Sequence, residues 1–254
     1  MPGLGVVDHV HFLHRAWRYR LRTEKQELAY VRSRRLIGRT VVDVGAHRGI
    51  YSYWLREAVG PSGRVVAFEP QPEMIAELKK LKHSFRARNI DIIESGLTDT
   101  PGTATLRRVG MHTGGASLEP AKSGHADADE STFEVPVTTL DTFFAERTSN
   151  PSAQPLPLGP VALIKCDVEG HEQAVFRGAE RLLREDRPAL LFECHDAHAR
   201  AGDVFEDLRS LGYVGWLLDG QNHHPVERFR DLRDTLDKPY LNYIFEPEEA
   251  TTLQ

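Results

Sequence analysis

At 254 residues the chain suits one large α/β domain with appendages, or at most two small domains. Its 40% hydrophobic and 27% charged content is that of an ordinary soluble globular fold, which excludes a fibrous or disordered chain. The 32 basic and 37 acidic residues leave a net charge of −5, so no global field recruits nucleic acid. No apolar stretch approaches the roughly 18–20 residues of a membrane span.

Residues 1–37 predict a helical segment, because Val10, Leu13, Trp17 and Leu21 recur at three- and four-residue spacing with arginines between them. The expectation is a helix covering the main domain; a lid, a dimer contact and a membrane-surface helix are the alternatives. Arg15, Arg18, Arg20, Arg22, Arg32, Arg34 and Arg35 form a local basic stripe. Asp8, His9, His11 and His14 interrupt any signal-peptide core, so a cytoplasmic protein is expected.

From Gly38 onward, strand-like runs near 40–44, 64–69, 90–94, 161–167, 188–194, 213–218 and 240–246 alternate with helical segments near 49–59, 71–83, 171–184 and 200–211. That alternation predicts a parallel sheet with helices on both faces. The turn Asp99-Thr100-Pro101-Gly102 leads into two β-rich pieces, 103–109 and 132–138, read as an added hairpin. Two irregular stretches, 110–130 and 148–160, are expected to be site loops. The division is an N-terminal segment at 1–37, one domain at 38–246 and a tail at 247–254. Cys166 and Cys194 lie in runs read as buried strands and are expected to be inert core thiols.

Val41-Val42-Asp43-Val44-Gly45-Ala46-His47-Arg48-Gly49 is an apolar strand ending in an acid, then a glycine turn. Glu69-Pro70, ending the next strand, lies 26 positions beyond Asp43. Such units bring the backbone close to a nucleotide and offer the terminal acid to two ribose hydroxyls. Acids at both positions, with Asp-x-Gly-x-x-x-Gly in place of a dinucleotide fingerprint, favour a sulfonium over a pyrophosphate. S-adenosylmethionine is the expected cofactor, held by Asp43, Gly45, Ala46, His47, Gly49, Glu69, Pro70, Ser95, Gly96, Leu97 and Asp167.

Ile164-Lys165-Cys166-Asp167-Val168-Glu169-Gly170-His171-Glu172 ends one buried strand, and Leu190-Leu191-Phe192-Glu193-Cys194-His195 ends the next. Strand residues two apart share a face, so Glu193 and His195 are expected beside Asp167 and Glu169 at the ligand-binding rim. Asp167, Glu169, His171, Glu193 and His195 are therefore the candidate catalytic group. A His or Asp general base is one reading of it. The other is a divalent ion, magnesium or manganese, on Asp167, Glu169, Glu193 and His195.

These pieces resemble the FkbM family of S-adenosylmethionine-dependent methyltransferases over roughly 38–246. The matching motifs are Asp43 to Gly49, Phe68-Glu69-Pro70, Gly96-Leu97-Thr98-Asp99 with Gly102, Gly115-Ala116-Ser117-Leu118, Val137-Thr138-Thr139-Leu140-Asp141 and, most specifically, Ile164 to Glu172. The family pattern carries Asn where His47 stands. The resemblance implies a Rossmann-like, class I methyltransferase fold: a seven-stranded, mostly parallel sheet whose last strand is antiparallel. It also implies O-methylation of a small-molecule or glycoside hydroxyl, as in secondary-metabolite or glycan biosynthesis. A small-molecule carboxyl acceptor, or a cofactor-binding partner without activity, is the alternative. A short-chain dehydrogenase would need Gly-x-x-x-Gly-x-Gly and Tyr-x-x-x-Lys, and a base-nitrogen methyltransferase Asn/Asp-Pro-Pro-aromatic; neither set occurs. The acceptor's identity and the oligomeric state stay open, a homodimer among the options.

Overall fold

The computed structural model describes residues 4–109, 115–119, 130–149, 158–195, 203–219, 222–229 and 240–251. Five parallel strands form its centre: β1 (Thr40–Val44), β2 (Arg64–Phe68), β3 (Ile90–Ile93), β7 (Val161–Cys166) and β8 (Ala189–His195). The antiparallel β11 (Tyr240–Pro247) lies between β8 and β9 (Tyr213–Asp219). The order is β10-β9-β11-β8-β7-β1-β2-β3. The expected seven strands and antiparallel last strand are present. An eighth, β10 (Asn222–Pro225), adds a hairpin on β9 that the sequence reading missed, because Asn222-His223-His224-Pro225 is exposed and carries no apolar alternation.

Strands buried on both faces read as continuous apolar runs, and this sheet shows why. Val42, Val44, Val66, Phe68, Ile164, Cys166, Leu190, Phe192 and Cys194 pack on one face. Val41, Val65, Ala67, Leu163 and Leu191 pack on the other. Helices α3 (Ile50–Val59) and α4 (Pro72–Ser84) cover the second face together with the N-terminal helices α1 (Val6–Arg18) and α2 (Lys25–Ser33). The first face is covered by α6 (Glu172–Arg177), α7 (Glu180–Glu185) and α8 (Asp203–Ser210). Both cysteines are buried, and neither forms a disulfide.

The 171–184 segment is two helices rather than one. An added Cβ at Gly178, between α6 and α7, would stand 2.1 Å from the Thr98 carbonyl oxygen, so the backbones meet where only glycine fits. The predicted hairpin is present as β5 (Gly102–Val109) antiparallel to β6 (Glu130–Thr138), with β4 (Gly96–Leu97) on the far side of β6. Helix α5 (Leu140–Ser149) follows β6.

The N-terminal segment packs against the sheet, as expected, but through a different face. Phe12, Ala16, Leu28 and Val31 are buried, and the Trp54 indole N–H donates to the Ala16 carbonyl at 3.0 Å. Tyr30 Oη and Arg34 each donate to Glu246 at 2.7 Å, which ties α2 to β11. Val10, Trp17 and Leu21 remain exposed. A π-helical turn, Tyr19–Thr23, joins α1 to α2.

Candidate functional site

The strand order reverses at β1, because β2 and β7 lie on its two sides and their connections leave to opposite faces. A cleft forms there beyond the carboxyl ends of the strands. The backbone N–H groups of Gly45 and Ala46 donate to the Phe68 carbonyl at 3.1 and 3.0 Å, which folds the first turn onto β2. Gly45 has φ +74, and a Cβ there would sit 2.0 Å from the Asp167 carbonyl oxygen. Glycine is thus required both for the left-handed turn and for the close approach of β7. His47 also has positive φ, at 48°.

One cavity of about 340 Å³ occupies this cleft. Gly45, Ala46, His47, Glu69, Pro70, Ser95, Gly96, Leu97 and Asp167, all read from the sequence, lie on its wall. Asp43 and Gly49 do not. Asp43 is fully buried behind the turn, where it accepts the Ser52 hydroxyl at 2.5 Å. Gly49 starts α3 against Leu78 and Leu81. At one end, the Glu69 carboxylate accepts the His47 N–H at 2.7 Å and the Gln71 N–H at 2.9 Å. Burial raises its pKa against those two donors.

At the other end Asp167, Glu169 and Glu193 share the wall with Glu24, Lys165, Tyr51, Arg15 and Tyr19. Lys165 Nζ lies 3.2 Å from Asp167 Oδ2 and 4.6 Å from the centre of the Tyr51 ring. Burial works against its charge, but Asp167 and Asp43 outweigh that and raise its pKa. Glu193 is pushed up to about 8, first by burial and then by the charges of Asp167 and Glu24. Glu24, which accepts the Tyr51 hydroxyl at 3.0 Å, is pushed up to about 7 by burial and by Glu27. His47 is held down to about 4 by burial and by Arg48, so its imidazole is neutral near pH 7. Four carboxyl groups, Glu24, Asp167, Glu169 and Glu193, thus share the cavity with three cations, Arg15, Arg48 and Lys165.

Two of the expected catalytic residues stand apart. His171 lines a neighbouring cavity with Thr98, Asp99 and Glu119, where its Nδ1 is 2.6 Å from Glu119 and its Nε2 is 3.0 Å from Thr98 Oγ1. Strand alternation ends before His171, because β7 stops at Cys166 and Glu169 and Gly170 both take positive φ. His195, the last residue of β8, lines neither cavity. Among the described residues no group of three or more His, Cys, Asp or Glu side chains is arranged to hold a metal ion. Asp167, Glu169, Glu193 and His195 are thus not arranged as a ligand set, and nothing among the described residues supports a metal there.

The described part of the 110–130 loop does reach the site. Ala116 and Leu118 line the cavity, Ser117 pairs with Arg107, and the Ser117 hydroxyl donates to the Glu169 carbonyl at 2.9 Å. Residues 110–114, 120–129 and 150–157 lie outside the described residues, and with them most of both expected loops. The sequence reading gave no role to Arg15, Tyr19, Glu24, Tyr51 or Lys165. Only Lys165 carried a signal, a lone cation within a buried apolar strand, which demands an acidic partner.

The profile of the Methyltransferase FkbM domain matches residues 43–215. The crystal structure of a methyltransferase FkbM from Methylobacillus flagellatus KT superposes with a TM-score of 0.51 at 18% identity, covering 82% of this chain. This chain spans only 43% of that protein's length. A protein assigned as an rRNA methylase from Clostridium thermocellum superposes with a TM-score of 0.50 at 13% identity, covering 88% of this chain and 94% of its own. At these identities the likeness is one of fold alone. A search of curated proteins found no match.

Proposed function

Since the chain belongs to the FkbM methyltransferase family, we propose that it transfers a methyl group from S-adenosylmethionine to a hydroxyl of a small molecule or glycoside. The observation that carries this reading is the polarity of one cavity. A carboxylate at the end of β2 marks one end, and carboxyl groups in excess of cations mark the other. The first suits a ribose diol. The second suits a cationic ligand, since a positive charge placed among Glu24, Asp167 and Glu193 favours the carboxylate forms that burial first, and the neighbouring carboxylates second, disfavour in Glu24 and Glu193.

In this reading Glu69 accepts the ribose hydroxyls, and Ser95, Gly96 and Leu97 flank the adenine. Gly45, Ala46 and His47 present backbone to the cofactor, while Asp43 and Gly49 act from behind by fixing the turn. When bound, S-adenosylmethionine supplies an electrophilic methyl group, so orienting the acceptor in line is a large share of the catalysis. Glu193 takes the proton of the acceptor hydroxyl, a role worth roughly 10²–10⁴-fold. Lys165 holds Asp167 in place, and Glu169 completes the acceptor wall. His171 is left as the tether of the 115–119 segment.

Transfer of labelled methyl to panels of glycosides, alcohols and carboxylic acids tests the assignment. The expected product is an ether, stable to mild base, whose formation drops about 10²–10⁴-fold in Glu193→Gln. A base-labile ester, formed equally fast by Glu193→Gln, would mean a carboxyl acceptor that needs no base.

A further inference from the structure

Helix α1 turns its apolar stripe outward. Val6, Val10, Trp17 and Leu21 are 84, 58, 45 and 60% exposed, while Phe12 and Ala16 on the opposite face are buried. At 3.6 residues per turn Val6, Val10, Leu13, Trp17 and, through the π-helical turn, Leu21 fall on one side. A helix needs only one apolar face to join its own core, and Phe12 and Ala16 already supply it. The second face is therefore a surface for something else.

The borders of that face decide what. His11, His14 and Arg18 flank one side, and His9 and Arg20 the other. Arg20 folds its guanidinium over Trp17 and Trp54, at 4.7 and 4.8 Å from the ring centres. Leaving out Arg15, which turns into the cavity, Val6 to Lys25 carries four basic side chains, Arg18, Arg20, Arg22 and Lys25, against the acids Asp8 and Glu24, on a chain whose net charge is −5. Glu24 is turned inward to Tyr51, and Asp8 lies on the side away from the stripe. A second copy of the helix would bring arginine against arginine. An anionic bilayer would receive Val6, Val10, Trp17 and Leu21 among its acyl chains and meet the arginines with phosphate.

We propose that α1 is an in-plane docking helix for an anionic lipid surface. It would lie on the bilayer, not across it, and no helix among the described residues is long and apolar enough to span one. Arg15 and Tyr19 of the same segment point away from the stripe and line the cavity described above, so the helix has its docking face on one side and the cavity on the other. The inference does not depend on the reaction proposed for that cavity.

Cosedimentation of the full chain with vesicles tests it. The protein is expected to bind vesicles of phosphatidylglycerol with phosphatidylcholine, to bind pure phosphatidylcholine at least about tenfold less, and to be released by high salt. Val10→Ser with Leu21→Ser, and separately Arg18→Glu with Arg22→Glu, should each cut binding about tenfold or more while the melting temperature stays that of the wild type. All four positions are exposed, so folding is not at stake. Absence of binding to the anionic vesicles, or wild-type binding by either double variant, would overturn the proposal. A concentration-dependent dimer lost in Val10→Ser with Leu21→Ser, without vesicle binding, would overturn it in favour of a second copy.

Discussion

Glu193 is the residue on which the proposed chemistry turns, and its protonation is measurable without knowing the acceptor. Glu193, Glu24 and Glu172 hold their protons to about pH 8, 7 and 7 in the folded chain, against an ordinary carboxyl value of 4.5. Unfolding therefore releases protons between about pH 4.5 and 8, and the folded state loses stability as pH rises through that window. His47, held down to about 4 from 6.5, has the opposite effect, but only below about 6.5. Of these four groups only the acids titrate between pH 6.5 and 8. The melting temperature of the ligand-free protein should fall across that interval, and Glu193→Gln should flatten its upper part. A melting temperature that rises from pH 6.5 to 8 would contradict the burial of these acids. In turnover, the same residue predicts a rate that climbs toward pH 8. Bound cofactor should move that limb to lower pH, because a nearby positive charge favours the carboxylate.

The elements were legible in the sequence wherever burial was two-sided, and less so elsewhere. β1, β2, β7 and β8 carry apolar runs because both faces are covered, and the acids at their ends could be read by position. Strand parity separated Glu193, on the cavity wall, from the buried Cys194, but it also put His195 beside Glu193, and His195 lines neither cavity. In α1 the periodicity was right and the face was wrong. A stripe of Val10, Trp17 and Leu21 signals a core-facing helix unless a second, smaller apolar pair such as Phe12 and Ala16 is already buried opposite. The break at Gly178 was hidden because what excludes a Cβ is a carbonyl 80 residues earlier in the chain, that of Thr98. Gly178→Ala should therefore destabilise by about 1–3 kcal/mol, as overpacking does, and more if Thr98 cannot shift; chemical denaturation measures it. His171→Ala should remove the bridge between Glu119 and Thr98 and so free the 115–119 segment. Limited proteolysis between residues 110 and 119 should then quicken while the global melting temperature moves little.

For the whole molecule, one sheet does two jobs. Its covered faces supply the core, and the reversal of strand order at β1 opens the cavity at its rim. The N-terminal helices close that cavity from outside, contributing Arg15, Tyr19 and Glu24. None of the three was predictable, since no local pattern says that a π-helical turn will aim toward a strand end more than 100 residues away. If this cavity holds S-adenosylmethionine with its ribose on Glu69, calorimetric titration of S-adenosylmethionine into the wild type and into Glu69→Ala separates the two proteins. The expected result is one site per chain, weakened in the variant by about 1.5–3 kcal/mol for the lost hydrogen bonds to a charged group. Unchanged affinity in Glu69→Ala, or equal binding of NAD by the wild type, would contradict it.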